Sequence, residues 1–415
     1  MDSLANRPAT AVGPARPEGP AADAPAGPAA GSGTAVRQLS EAPALPVLPS
    51  RARREQWARR PAGRPAAEPR RPGGRPAPLA WALPPEDNAR LETLMCDTVV
   101  ALAGPLGDPL TRVIRAGGKK LRPALTMAVA AIGGRTAQDP RVLAAAAAVE
   151  LLHCAALVHD DLIDGASVRR GVATLSAREG RAAAVVGGDL LIAAACLLAA
   201  QASPDAGVII ADTLARLGRG EAFQDQLRYD ARAPVESLME VTRLKTGSLL
   251  RAACLLGARS FDAGPALCTA AADFGMDLGV CVQLVDDLLD VVSSPALAAK
   301  PVGADFTSGT LTLPIALAIA ECPELGQLLR PRLEPVQGDR AMTLLQNSAG
   351  ALASTAAAAR DHARRAGRHL RAAAPGDAGA ERLSRWPAAY LASQLQSKVA
   401  DQHRWLLSPL ASAAR

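Results

Sequence analysis

Residues 151–164 read LLHCAALVHDDLID and residues 280–292 read VCVQLVDDLLDVV. Each is an apolar run that meets the same acidic pattern, DDLxD. The first carries Asp160, Asp161 and Asp164; the second, 126 residues later, carries Asp286, Asp287 and Asp290. An α-helix advances about 100° per residue, so with Asp160 at zero, Asp164 falls near 40° and Asp161 near 100°. Three carboxylates then share roughly a quarter turn of each helix, with His153 near 20° on the first and Gln283 near 60° on the second. Carboxylates in an apolar helix are costly to desolvate unless cations neutralise them. Two such triplets on facing helices supply hard oxygen donors. That set suits Mg²⁺, which keeps waters and is completed by substrate phosphates. The rival reading, a pair of solvated acidic helix ends, leaves the surroundings of the two clusters unexplained.

Composition divides the chain unevenly. Residues 1–85 hold 17 of the 33 prolines, and residues 1–84 hold 12 Arg against 6 acids, so the net charge of +6 resides there. Such a Pro-, Ala- and Arg-rich segment lacks the apolar content to offset its ordering entropy, and residues 1–84 are expected to be a disordered tail. Its basic part reads first as a solvated linker, with weak contact to an anionic membrane surface as the alternative. The remaining 85–415 balance 34 basic against 34 acidic residues, which argues against nucleic acid as a partner. No uninterrupted apolar stretch has the length of a membrane span, and no transmembrane segment is expected. Seven scattered cysteines without a CxxC pattern fit reduced thiols in the cytoplasm.

From residue 86 onward Ala and Leu dominate, aromatics are scarce, and Gly or Pro punctuates at helical lengths. An all-α fold is expected: a single large helical bundle around a central apolar cavity. Nucleotide-loop patterns and zinc signatures are absent from the sequence. Lysine is rare: 5 against 41 Arg. Four of the five lie in the Gly-punctuated stretches GGKKLRP, RLKTGSLL and AAKPVGAD. A compact ammonium retained there points to phosphate.

Seven segments in order carry a resemblance: GGKKLRP (117–123), ELLHCAALVHDDLID (150–164), VRRG (168–171), GGDLL (187–191), LKTGSLL (244–250), FGMDLGVCVQLVDDLLD (274–290) and KPVGADFTSGTLTLP (300–314). Over about residues 86–400 the chain resembles the trans-type polyprenyl diphosphate synthases, whose fold is the isoprenoid synthase bundle. The resemblance implies a Mg²⁺-dependent prenyltransferase that condenses isopentenyl diphosphate with an allylic diphosphate. It implies three Mg²⁺ ions, held by Asp160, Asp161 and Asp164 on one side and Asp286 and Asp290 on the other, with Asp287 as an orienting group. It places isopentenyl diphosphate on Lys119, Arg122, His153 and Arg170, and the allylic diphosphate on Arg169, Lys245, Thr246, Gln283 and Lys300. It also implies a homodimer. Three positions depart from the family pattern: Ala299 for Gly, Lys120 for Arg, and Thr310 where short-chain members carry a further Lys.

Two readings compete. A cyclising terpene synthase has a second metal motif of a different kind and no use for an isopentenyl site. A non-catalytic regulatory subunit would be expected to have lost acidic ligands. In the family a bulky aromatic four or five residues before the first acid closes the product tunnel; here Ala155 and Ala156 stand there. A product of C20 or longer is therefore expected, with Ala155→Phe shortening it. The stretch 293–309, rich in Gly, Pro and small residues around Lys300, reads as a lid over the diphosphate.

Overall fold

The computed structural model describes residues 83–293 and 302–410. The expectations for residues 1–82 and for residues 294–301 of the lid, Lys300 among them, lie outside the described residues. The first helix, α1 (Pro85–Ala103), is followed by α2 (Gly107–Arg115), α3 (Leu121–Ala130) and α4 (Pro140–Ile163). The start of α4 is written in its sequence. Pro140 supplies a first-turn residue without an N–H, and the Asp139 side chain accepts from the backbone N–H of Arg141 at 2.9 Å. Between Arg141 and its last turns α4 is apolar apart from Glu150 and His153, as suits an enclosed helix. Val142, Ala145, Ala148, Leu151 and Leu152 are completely buried.

A small ribbon interrupts the helices, the only sheet among the described residues: β1 (Val168–Arg169) pairs antiparallel with β2 (Val172–Ala173). Arg170 and Gly171 have φ of 52° and 78°. This is the positive-φ pair that a two-residue hairpin turn needs, and glycine relieves it at the second place. α5 (Leu175–Glu179), α6 (Arg181–Ala202), α7 (Ala206–Gln226) and α8 (Val235–Thr242) follow. α8 runs through a π-turn at Arg243–Gly247 into α9 (Ser248–Arg259), and the long α10 (Pro265–Val292) packs across it. Two glycines make that crossing close. A Cβ on Gly279 would sit 2.6 Å from the Cα of Gly247, and one on Gly275 would meet the backbone of Leu250 and Arg251.

The chain ends with α11 (Ala304–Ser308), α12 (Leu313–Glu321), α13 (Pro323–Leu328), α14 (Pro335–Asn347), α15 (Ala349–Ala373), α16 (Ala378–Ser384) and α17 (Trp386–Lys398), then a 3₁₀ segment. The architecture is the expected helical bundle. One expectation is corrected: α4, α6 and α10 are each long and apolar enough to cross a membrane by length and composition. Most of the apolar windows of α4 and α10 are buried inside the protein, which accounts for their hydropathy. Less than half of that of α6 is.

Candidate active site

α4 and α10 both end beside one cavity of about 1200 Å³, and both acidic clusters lie in their last two turns. The C-terminal end of a helix carries partial negative charge, so each cluster adds to a field that is already unfavourable for anions. Asp160, Asp164, Asp286, Asp287 and Asp290 line the cavity, joined by Glu221, Asp225 and Asp305. Against these eight carboxylates stand, among the described residues, five Lys and Arg: Arg122, Arg169, Arg228, Lys245 and Lys398. Burial pushes the Asp160 carboxyl up to about 6, with Lys245 opposing and Glu221 and Asp164 reinforcing. Burial also raises Asp287 well above the ordinary range, with Asp305 reinforcing it. A wall so rich in carboxylate could hold cations. Among the described residues no three such side chains converge tightly enough to cage an ion. An open wall of this kind fits Mg²⁺, whose remaining positions are filled by water and substrate phosphate.

The middle acid of each cluster is the buried one. Asp161 is buried and accepts from Arg169 Nε at 2.6 Å. Asp287 is buried and accepts from Gln283 Nε2 at 2.7 Å. Gln283 Oε1 in turn accepts from Thr246 Oγ1 at 2.6 Å. Asp161, expected among the ligands, thus faces Arg169 and a smaller neighbouring cavity instead of the main one.

The basic side chains are placed by unusual backbone. Lys245 and Thr246 sit in the π-turn, where one extra residue per turn redirects the side chains. Lys245 is paired with Glu221 of α7, at a point where Gly220 leaves room for its stem. Arg228 Nη2 stands 3.5 Å from Asp164 Oδ1. Arg170, on the tip of the ribbon, lies on the Gly117–Gly118 backbone. A Cβ on Gly118 would come within 2.8 Å of its Nη1, and Gly118 has φ of 140° besides. The double glycine is therefore what admits this guanidinium. Arg122 Nε is buried without a hydrogen-bond partner, a donor awaiting an anion. His153 lies beside it. Burial, then the charges of Arg122, Arg170, Lys120 and Arg169, hold its pKa well below the usual value, so the ring is neutral. Lys120 takes no place in the site: it is buried, with Nζ 3.2 Å from Glu150 Oε1.

The same cavity is lined by the apolar side chains of Ala156, Ile192, Leu214, Leu217, Leu238 and Leu249. No Phe, Tyr or Trp side chain lines it among the described residues. Ala155 is not on this wall; it is 1% exposed and packed into the core. Glu221, Asp305, Arg228 and Lys398 are site residues that the motif reading did not single out. Asp305 alone lay inside a quoted motif.

The sequence profile of the family described as "Polyprenyl synthetase" matches residues 104–345. The nonaprenyl diphosphate synthase of Mycobacterium tuberculosis is 35% identical over 268 residues, 63% of this chain and 79% of that protein. The geranylfarnesyl diphosphate synthase of Aeropyrum pernix is 32% identical, over 61% of this chain and 83% of its own length. Among solved structures, the polyprenyl synthase of Caulobacter crescentus, complexed with calcium and isoprenyl diphosphate, superposes with a TM-score of 0.66. It is 32% identical, over 73% of this chain and 94% of that one. With a family profile matched over more than half its length and a cavity of this construction, the chain belongs to the polyprenyl synthetase family and is a prenyltransferase.

Proposed function

We propose that the chain condenses isopentenyl diphosphate with an allylic diphosphate to give a trans-polyprenyl diphosphate of C20 or longer. The observation that carries this reading is a single cavity lined both by the two acidic clusters and by aliphatic side chains, with no Phe, Tyr or Trp ring among the described residues that line it. Asp160 and Asp164 on one side, and Asp286 and Asp290 on the other, would hold Mg²⁺, which would supply charge neutralisation for the diphosphate leaving group. Asp161 and Asp287, held by Arg169 and Gln283, orient their neighbours instead of ligating. Lys245, Thr246 and Arg169 face the allylic diphosphate. The allylic C–O bond ionises, the isopentenyl double bond attacks the cation, and a proton is lost to restore an alkene. Arg122, with its unpartnered Nε, and neutral His153, with one N–H to donate, hold the isopentenyl diphosphate beside Lys119 and Arg170. The apolar walls keep water from the cation.

The test is incubation with Mg²⁺, an allylic diphosphate and isopentenyl diphosphate, then phosphatase treatment and chromatography. Linear prenyl alcohols of C20 or longer are expected. A cyclic hydrocarbon, or no product, would overturn the reading.

The same reading includes a homodimer. Val185 and Val186 and Leu197 on α6, with Val208 on α7, leave apolar surface exposed, Val208 to 71%. Exposed apolar side chains on these two helices support that reading. Light scattering is expected to report a dimer at micromolar concentration and a shift to monomer in Val208→Asp. A wild type that scatters only as a monomer would refute the assignment. The seven cysteines are all unpaired, which supports a reducing compartment, the cytoplasm.

A further inference from the structure

Tyr390, Gln394 and Lys398 are spaced four residues apart on α17 and form one stripe along it. The stripe is turned toward Lys119. Gln394 Oε1 accepts from Lys119 Nζ at 3.0 Å, and the same ammonium lies 5.9 Å from the centre of the Tyr390 ring. Lys398, half-buried in the last turn, lines the main cavity together with Arg122, His153, Gln283 and Asp286.

The backbone keeps it there. Directly beyond Lys398, Val399 bridges Ser293, and the N–H of Ala400 donates to the carbonyl of Val292 at 3.0 Å. The end of α17 is thereby fastened to the end of α10, immediately past the second acidic cluster. The two ammonium groups also sense each other. Burial, and then the charge of Lys398, lower the pKa of Lys119, while Asp286 opposes the shift. Two like charges held in proximity are a liability to the empty site and an asset once an anion lies between them. The chain uses lysine only five times, and at position 310 a neutral threonine lines the same cavity.

We propose that Lys398 is a further substrate-binding residue: with Lys119 and Arg122 it holds the diphosphate of isopentenyl diphosphate, so that the C-terminal helix completes the homoallylic site. The choice between the two diphosphates follows from its neighbours. Lys398 stands with Lys119, Arg122 and His153, whereas Lys245 and Thr246 belong to the π-turn beside α7. Tyr390 and Gln394 act as positioning residues, since they fix the Lys119 ammonium without reaching the reacting atoms.

This inference rests on the prenyltransferase reading, and the experiment separates the two. Steady-state kinetics on the full chain compare wild type with Lys398→Gln and Lys398→Arg, varying each substrate with the other saturating. Losing one charge-assisted contact is expected to raise the isopentenyl diphosphate KM of Lys398→Gln about tenfold. The allylic KM should stay within about twofold, and Lys398→Arg should recover most of the loss. Titration of isopentenyl diphosphate alone into the three proteins, read by heat, is expected to give the same ranking without turnover. Wild-type turnover with an unchanged isopentenyl KM in Lys398→Gln would overturn the role of Lys398 alone. So would equal rises in both KM values, the mark of a merely structural effect. A wild type that forms no prenyl product would overturn both readings.

Discussion

Asp160→Asn is expected to lower turnover by on the order of a thousandfold while making the metal-free protein more stable. Both effects come from the same charge. Asp160 lies in the last turn of α4, at the negative end of the helix dipole, with Glu221 and Asp164 close enough to raise its pKa further. With Mg²⁺ and a diphosphate present, this carboxylate is an oxygen ligand that an amide replaces poorly. Without them it is a half-buried charge that Lys245 and Arg169 offset only in part. The sign of the stability effect follows from linkage. A carboxyl raised from 3.8 to about 6 in the fold binds its proton more tightly folded than unfolded. Its presence therefore costs nothing at low pH, and the cost grows as pH rises through roughly 4 to 6 and then levels off. The full shift corresponds to no more than about 3 kcal/mol. Thermal melts in a chelator should show Asp160→Asn gaining on wild type from pH 4.5 to pH 7, with helicity unchanged. Added Mg²⁺ and diphosphate should stabilise wild type and leave the variant nearly unmoved. Wild-type turnover in the variant, or a melting difference that shrinks as pH rises, would remove Asp160 from the metal site.

The two acidic clusters were legible because their chemistry is local. A DDLxD pattern inside an apolar helix puts its charges on one arc whatever packs against it, and an Ala/Leu-rich chain has few ways to fold other than as helices. The limits of the local reading are equally physical. The quarter-turn arc placed three acids together, yet the residue at its 100° edge is turned far enough to meet a protein partner in both helices, Asp161 with Arg169 and Asp287 with Gln283. Lys120 looked like one more phosphate lysine. It is spent on buried Glu150, a partner 30 residues away that no spacing announces. Glu221, Arg228 and Lys398 enter the cavity from α7, the segment after it and α17, through long-range packing alone. The π-turn that aims Lys245 inserts one residue into the helical period, and a 3.6-residue reading has no means to see it.

The same arithmetic, carried one turn further down α4, decides product length. Measured from Asp160, Ala156 lies near −40° and Ala155 near −140°. Ala156 therefore stands below the acidic cluster on the cavity side, about 6 Å along the helix axis, while Ala155 points away. The structure agrees: Ala156 lines the cavity and Ala155 is 1% exposed in the core. The expectation that either alanine opens the tunnel is thereby narrowed to one. Leu214, Leu217, Gly218, Leu238 and Val241 line the same cavity, with no Phe, Tyr or Trp ring among the described residues that line it. A growing chain meets aliphatic side chains that can shift rotamer, not a rigid aromatic floor. Ala156→Phe is expected to place a ring directly under the reacting end, shorten the main product by at least one isoprene unit and leave the metal site intact. Ala155→Phe is expected to do something different: to overpack the core at a cost of about 1–3 kcal/mol with the product distribution nearly unchanged. Chromatography of the dephosphorylated products of both variants, beside their melting temperatures, makes the comparison. The assignment of the tunnel to the Ala156 face is wrong if Ala156→Phe leaves the products as they were, or if Ala155→Phe shortens them as much.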